Sequence, residues 1–264
     1  MIEHTGILGT PMTKKQYADH WIIDSNHLLK IGCYDWMVDQ LGAPSIVIEV
    51  GCGTGRSTHA LSKKSKVICI EPNEHMVHIC YEHLKENGVN VKVAENVSAL
   101  NNDDFSSQVT IINHDVFDKS IGLILKKLEP QAIVCWLIGA APENIANLLN
   151  KPLSEFNGEE MPEYRRNVHK RCYELGREIF QQLGTVQVVD RVGIPSWNEK
   201  NESRNFFSEL HAEICEGHYK ITPESTYLRK ITQGFSKSQI QMRSEENNYG
   251  AIPALISIKA MFQK

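Results

Sequence analysis

Residues Ser45 to Thr58 read SIVIEVGCGTGRST, and this stretch decides the fold. An apolar, β-branched run leads into three glycines at alternate positions, Gly51, Gly53 and Gly55, and a helical pattern follows. This order predicts a buried strand that turns tightly into a helix. Glycines allow positive φ angles and leave bare backbone for a ligand, and the N–H groups that begin a helix attract anions. The turn is therefore a candidate binding surface.

The spacing of the glycines separates several kinds of nucleotide site. A dinucleotide site needs its third glycine at Arg56, and a P-loop needs a Gly-Lys-Ser/Thr sequence that is absent here. The pattern that fits is an acidic residue, Glu49, followed by one spacer and Gly-x-Gly-x-Gly. It resembles motif I of the class I S-adenosylmethionine (SAM) dependent methyltransferases. NAD or another nucleotide, and a purely structural turn, remain alternatives.

A second acidic residue, Glu71, ends the next predicted strand, about twenty residues after Gly51. A carboxylate at the end of a strand can accept hydrogen bonds from ribose hydroxyls in SAM-binding and NAD-binding proteins alike. Glu71 thus indicates a nucleoside ligand, and only the glycine spacing favours SAM.

The resemblance implies a set of cofactor residues along the predicted strand ends. In the family, an acidic residue after the third core strand contacts the adenine amino group and its neighbour's backbone amide reaches a ring nitrogen, which Asp115 and Val116 match. The expected cofactor is SAM, with S-adenosylhomocysteine as product and no metal. The candidate cofactor residues are Glu49, Gly51, Cys52, Gly53, Gly55, Glu71, Pro72, Met76, Asp115, Val116 and Trp136.

Strand patterns alternate with helical patterns along the chain, which predicts a parallel α/β sheet with right-handed crossovers. The resemblance implies a Rossmann-like, seven-stranded, mostly parallel sheet with helices on both faces and an antiparallel last strand. We expect one SAM-binding methyltransferase domain over residues 1–264, with cap elements at about 13–41 and 150–183. Residues 1–12 should form a loose arm, and residues 241–250 should connect two antiparallel strands of the tail.

Composition limits the partners of the protein. The net charge is −4 and the pI is about 6.3, so no overall positive field attracts a nucleic acid, and nucleic acid is disfavoured as a partner. Seven cysteines without C-x-x-C spacing argue against a disulfide framework and suit a reducing compartment. No apolar run is long enough for a membrane span. We expect a cytoplasmic protein without a membrane partner, and its oligomeric state is left open.

Helical segments ahead of the glycine turn and near residue 164 carry aromatic residues that could enclose a substrate. The resemblance makes Tyr17 and Trp21 candidates for the pocket, together with Tyr173 and Trp197, although aromatics that simply pack on the sheet are an alternative. Arg165, Arg166, His169, Lys170 and Arg171 form a basic cluster that could meet an anionic substrate or remain a solvated face.

The expected reaction moves the sulfonium methyl to an O, N, S or C nucleophile of a small molecule by in-line transfer. A general base is optional, and the weak candidates are His20, His27 and His169. The chain lacks the Asn/Asp-Pro-Pro-aromatic signature of methyltransferases that act on base amines. RNA or protein methylation remains an alternative, as does a protein that binds SAM or NAD without catalysis.

Overall fold

The computed structural model describes residues 12–94, 105–233, 236 and 251–263. Nine strands lie in this part of the chain: β1 (Ile46–Val50), β2 (Lys66–Ile70), β3 (Val91–Ala94), β4 (Val109–Ile112), β5 (Ala132–Trp136), β6 (Thr185–Ile194), β7 (Tyr219–Lys220), β8 (Thr226–Lys230) and β9 (Ile252–Phe262).

Eight α-helices alternate with these strands in the described residues. They are α1 (Lys14–Lys30), α2 (Cys33–Leu41), α3 (Arg56–Ser62), α4 (Glu74–Glu86), α5 (Ser120–Lys126), α6 (Pro142–Leu149), α7 (Glu160–Ile179) and α8 (Lys200–Ile214). The start of α1 is fixed by a capping box, in which Thr13 Oγ1 accepts the Gln16 N–H at 3.2 Å and Gln16 Oε1 accepts the Thr13 N–H at 2.9 Å.

The strands form one sheet in the order β3-β4-β2-β1-β5-β6-β9-β7, and β8 also pairs with β9. Strands β1 to β6 are parallel to one another, whereas β9 is antiparallel to β6, β7 and β8. The Rossmann-like, mostly parallel sheet with antiparallel pairing at its end is confirmed. The difference from the predicted seven strands lies at the edges, where β3 and the two-residue β7 are additional.

Two segments with a predicted conformation lie at residues that the structure does not describe. The connection at residues 241–250 and residues 1–11 of the expected arm lie outside the described residues. The antiparallel pairing of β8 with β9, on either side of that connection, follows the prediction for the tail.

Successive residues of β1 pack on opposite faces of the sheet. Val47 belongs to a core with Met37 of α2 and Leu61 of α3, whereas Ile48 belongs to a second core with Leu175 of α7. Each buried aliphatic side chain of this size stabilises the fold by about 1.5 to 3 kcal/mol. The sheet is thus buried on both faces, as a parallel sheet requires. Because parallel strands share a direction, β1, β2, β4 and β5 end at one edge, where the following loops meet.

Candidate functional site

The turn after β1 has the positive φ angles that its glycines predict. The φ values are 79° at Gly51, 50° at Gly53 and 82° at Gly55. A Cβ on Gly51 would lie 2.5 Å from Ile138 Cδ1, and one on Gly53 would lie 2.6 Å from Trp21 Nε1. Both positions therefore need glycine for backbone conformation and for space.

Glu71 links this turn to the end of β2. Its Oε2 accepts the Gly53 N–H at 3.1 Å and its Oε1 accepts the Asn73 N–H at 3.0 Å. Burial raises the pKa of the Glu71 carboxyl to about 7, with Glu49 and Asp115 adding in the same direction, although the two amide hydrogen bonds oppose this shift. The carboxylate is thus held rigidly at the strand edge.

The loop after β4 carries Asp115 and Val116. Asp115 Oδ1 accepts the Phe117 N–H at 3.0 Å, which makes a local turn. Arg171 of α7 donates from Nε to the Val116 carbonyl at 2.9 Å. It also donates to the Glu178 carboxylate, from Nη1 at 2.7 Å and from Nη2 at 3.2 Å. This buried arginine ties the loop to α7.

These three segments surround a cavity of about 690 Å³, a volume that includes its open mouth. Tyr17 and Trp21 of α1 and Tyr164 of α7 also line it. Eight of the expected cofactor residues line this cavity: Gly51, Gly53, Glu71, Pro72, Met76, Asp115, Val116 and Trp136. Its size is in the range of small-molecule and cofactor sites.

Three expected cofactor residues, Glu49, Cys52 and Gly55, do not line the cavity. Glu49 lies beneath the turn, where its Oε2 accepts hydrogen bonds from Thr58 Oγ1 at 2.6 Å and Cys69 Sγ at 3.4 Å. Cys52 is buried. A Cβ on Gly55 would lie 2.9 Å from Cys80 Sγ, so this glycine lets α3 pack closely on α4. Glu49 and Gly55 therefore connect the turn and its flanking strand to α3, β2 and α4.

Two of the expected substrate-pocket aromatics also lie elsewhere. Tyr173 is fully buried, and its hydroxyl is 2.9 Å from His211 Nδ1. Nine residues separate Tyr173 from Tyr164, which is about 900° around a helix, so the two side chains emerge on opposite faces of α7. Trp197 lies in a short 3₁₀ turn beyond the end of β6, with Lys200 Nζ 5.7 Å from the centroid of its ring. Neither residue lines the cavity.

The three candidate histidines line no described cavity. His20 and His27 are half-buried on α1. His169 is buried in α7, with Nε2 3.7 Å from Asp190 Oδ2. Burial lowers the pKa of His169 to about 3, and the charge of Arg165 acts in the same direction. His169 is therefore neutral at neutral pH. It contacts Asp190, which lines a cavity, but does not line that cavity itself.

A second cavity of about 350 Å³ adjoins the first. Five residues line both cavities: Tyr17, Trp21, Leu137, Ile138 and Gly139. Met161 and Arg165 of α7, and Asp190 and Arg191 of β6, line only the second. Sequence reasoning did not select Asp190, although an acidic residue in a strand that ends near a site was a signal that could have found it.

The family model of a methyltransferase domain matches residues 47–126, which run from β1 to the end of α5. The matched region includes the glycine turn, Glu71 and Asp115. Residues 47–126 of the chain thus match a methyltransferase domain. The protein is thus a methyltransferase, and its cofactor is SAM.

Solved structures with a similar fold include three methyltransferases. The N-methyltransferase NodS from Bradyrhizobium japonicum, in complex with S-adenosylhomocysteine, is 11% identical over 95% of this chain and 88% of its own, with a TM-score of 0.44. A SAM-dependent methyltransferase from Aquifex aeolicus is 13% identical over 93% and 98%, with a TM-score of 0.48. Magnesium protoporphyrin IX methyltransferase from Synechocystis, with bound S-adenosylhomocysteine, is 11% identical over 95% and 85%, with a TM-score of 0.42. No curated protein matches the sequence.

The methyltransferase has neither a metal cluster nor a membrane helix in its described residues. No group of three or more His, Cys, Asp or Glu side chains in that part of the chain is arranged to hold a metal ion. None of the described helices combines the length and apolar character that crossing a bilayer requires. All seven cysteines are free and buried.

Proposed function

We propose that the methyltransferase acts on a nucleophile of a small molecule. The observation that supports this proposal is the pair of adjoining cavities, one bordered by the cofactor motifs and the other enclosed by side chains of α1, α7 and β6. The second cavity is a narrow recess between side chains, and such a recess suits part of a small molecule and not a folded polymer. The net charge of −4 also offers no general attraction for a nucleic acid.

The residues present fit SAM. The bare backbone of Gly51 and Gly53 would hold its amino-acid end, and Glu71 would accept hydrogen bonds from its ribose. Each carboxylate oxygen has two lone pairs, so Glu71 can accept these bonds in addition to those from Gly53 and Asn73. Asp115 and Val116 would hold the adenine. When bound, SAM supplies a methyl group activated by its sulfonium.

The chain's own contribution is enclosure and orientation. In this proposal, residues 13–41 and 150–183 form a cap over one domain that spans residues 1–264. Tyr17, Trp21 and Tyr164 support it, because they contribute to the cavity walls from these two segments. Excluding water and fixing the approach of the acceptor to the methyl group are large contributions to such a transfer. The buried free thiols support a reducing compartment such as the cytoplasm.

The test uses SAM that carries a labelled methyl group. The full chain is incubated with this SAM and, separately, with metabolite, RNA and protein fractions of a cell extract. We expect label in a small-molecule product, together with S-adenosylhomocysteine. Label found in RNA or in protein would replace the proposal with the corresponding polymer methyltransferase.

A pair of variants tests whether methyl transfer depends on the cavity walls. Trp21→Ala removes a wall shared by both cavities, whereas Trp36→Ala changes a half-buried tryptophan in the neighbouring helix α2 that lines neither. Transfer should fall in the first variant and persist in the second. Equal transfer by both would contradict the assignment of the cavity pair as the site.

A further inference from the structure

The second cavity adjoins the part of the first that faces the glycine turn. Ile138 and Trp21 line both cavities, and these are the side chains that a Cβ on Gly51 or on Gly53 would touch. The residues expected to hold adenine, Asp115 and Val116, line only the first cavity. A molecule in the second cavity is therefore next to the amino-acid end of the cofactor site and away from the adenine end.

Asp190 lines this cavity and has one carboxylate oxygen without a hydrogen-bond partner among the described residues. Among the described residues, Asp190 Oδ1 is buried and has no hydrogen-bond partner. Its other oxygen lies 3.7 Å from His169 Nε2, which also has no hydrogen-bond partner there. Because His169 is neutral, this contact does not neutralise the carboxylate. An unpartnered buried carboxylate is costly, so it favours a ligand that brings a positive charge or a hydrogen-bond donor.

Arg165 supplies an opposite charge at a different point of the cavity wall. Its Nε donates to the Ile138 carbonyl at 3.0 Å, which fixes the guanidinium against the shared wall. Within the described residues, Arg165 forms no ion pair with Asp190 or any other carboxylate, although both line the cavity. The guanidinium nitrogens Nη1 and Nη2 of Arg165 thus remain available for an anion.

The remaining charges near the cavity are already paired or neutral. Arg191 binds Asp24, and its guanidinium carbon lies 5.6 Å from the centroid of the Trp21 ring. His211 packs on His169 with ring centroids 5.5 Å apart, and burial lowers its pKa to about 3. Among the described residues that line the second cavity, Asp190 and Arg165 are therefore the two charges that a ligand can use.

We propose that the second cavity is the acceptor site, and that it takes a small molecule with an amine, which Asp190 binds and deprotonates, and an anionic group, which Arg165 binds. This inference rests on the proposed small-molecule function and specifies its substrate class. An amine is favoured over a hydroxyl because a protonated amine is a positively charged partner, and the Asp190 carboxylate has no such partner among the described residues. The aromatic side chains of Tyr17 and Trp21 give the cavity its apolar wall.

The proton and the electrons balance in this arrangement. The ammonium group gives one proton to the Asp190 carboxylate, and the nitrogen lone pair that this frees forms the bond to the methyl carbon. The electron pair of the broken carbon–sulfur bond stays on sulfur, and the proton on Asp190 later passes to solvent. Burial raises the pKa of Asp190, which improves it as a proton acceptor, while Arg165, His211 and Arg191 act against this shift.

The test uses two series of four probes that differ only in their functional groups. One series is 4-aminobutyrate, butylamine, butyrate and 4-hydroxybutyrate, and the other is 4-(aminomethyl)benzoate, benzylamine, benzoate and 4-(hydroxymethyl)benzoate. Binding to the protein saturated with S-adenosylhomocysteine is measured by ligand-detected NMR, and methylation is measured with SAM. In at least one series, we expect the molecule with both groups to bind at least ten times more tightly than its three relatives.

Matched variants assign the two groups to their partners. Arg165→Met should abolish the preference for the anionic group and leave the amine-only probe unchanged, and the exposed neighbour Arg166→Met serves as its control. Asp190→Asn should lower kcat for the amine probe about 100-fold, the scale of a general base, and should remove the acid limb of the pH–rate profile. The exposed Asp35→Asn is its control.

The outcomes separate this inference from the function on which it rests. If SAM does not bind, or the label appears only in polymers, the proposed function fails. If SAM binds and small molecules are methylated, but the hydroxyl probes are preferred, no probe with both groups binds, or Asp190→Asn keeps its activity, only the acceptor-site inference is overturned. SAM affinity measured by calorimetry should stay within a factor of two in both variants, which shows that they fold.

Discussion

Gly53 donates its backbone N–H to Glu71 Oε2 at 3.1 Å, so the turn after β1 and the carboxylate after β2 form one unit. The sequence places these residues eighteen positions apart and assigns them to different parts of the cofactor. In the structure, the group expected to bind ribose also fixes the backbone expected to bind the amino-acid end. A change at one residue should therefore disturb both parts of the cofactor site.

Glu71→Ala should weaken SAM binding by about 1 to 3 kcal/mol, because hydrogen bonds to a charged group are lost and the Gly53 amide loses its acceptor. Calorimetric titration with SAM measures this change. Glu82→Ala, on the exposed face of α4, is the matched control and should bind normally. Unchanged affinity in the Glu71 variant would remove this residue from the site.

The pH dependence of stability should also report on Glu71. Its pKa is raised from 4.5 to about 7 by burial, so the ionised form is disfavoured in the folded protein. This cost is absent below pH 4.5, grows as the pH rises and is complete above pH 7. Between pH 5 and 8, the protein without ligand should lose about 2 kcal/mol more unfolding free energy than Glu71→Gln does. Urea unfolding across this range measures the difference, and parallel curves would contradict the prediction.

Gly53→Ala should abolish measurable SAM binding at concentrations that saturate the unchanged protein. The added Cβ would lie 2.6 Å from Trp21 Nε1, so Trp21 must leave its place in the cavity wall. Gly88→Ala is the control, because Gly88 also has a positive φ, 73°, but its Cβ would meet nothing within 4 Å. Both variants pay about 1 kcal/mol for the left-handed backbone conformation. Similar SAM affinity in the two variants would show that the contact with Trp21 is unimportant.

Arg171→Met should loosen the loop expected to hold adenine without touching the ligand. The change removes the hydrogen bond to the Val116 carbonyl and the paired contact with Glu178. We expect SAM to bind about tenfold more weakly, equivalent to about 1.4 kcal/mol, and the Val116 amide to exchange hydrogen faster. Arg166→Met, on an exposed position of the same helix, should change neither quantity. Unaltered exchange at Val116 would argue against the role of Arg171 in positioning this loop.

The core strands and the glycine turn were accessible from sequence because both follow from local patterns. Apolar runs predict buried strands, and the spacing of the glycines after β1 predicts a turn with positive φ. The helix α6 was not predicted, although Pro142 occupies its first turn, where proline is common. The strand β3 was left ambiguous because its Val91 and Val93 are only half-buried at the sheet edge.

The limits of the sequence are clearest in α7. Its regular apolar pattern predicted the helix, but did not show which face meets the cavity. Arg165 lines the second cavity, Arg166 is exposed, and Arg171 is buried against the loop after β4, so one basic cluster divides into three environments. These assignments depend on the tertiary neighbours of the helix. Arg165 contacts Ile138, 27 positions away, and Arg171 contacts Val116, 55 positions away. Such long-range contacts decide the environment of each arginine and cannot be read from spacing along the helix.

The pairing of β6 with β9 has a consequence for biosynthesis. Strand β6 pairs with β9 along all ten of its residues, and Asp190 lies opposite Ile256, which is 66 positions later in the sequence. A nascent chain released before this segment would expose the edge of the strand that carries Asp190, and exposed strand edges promote association between chains. The enzyme can therefore complete its sheet only after β9 has been translated, long after the strand that carries Asp190 has formed its other contacts.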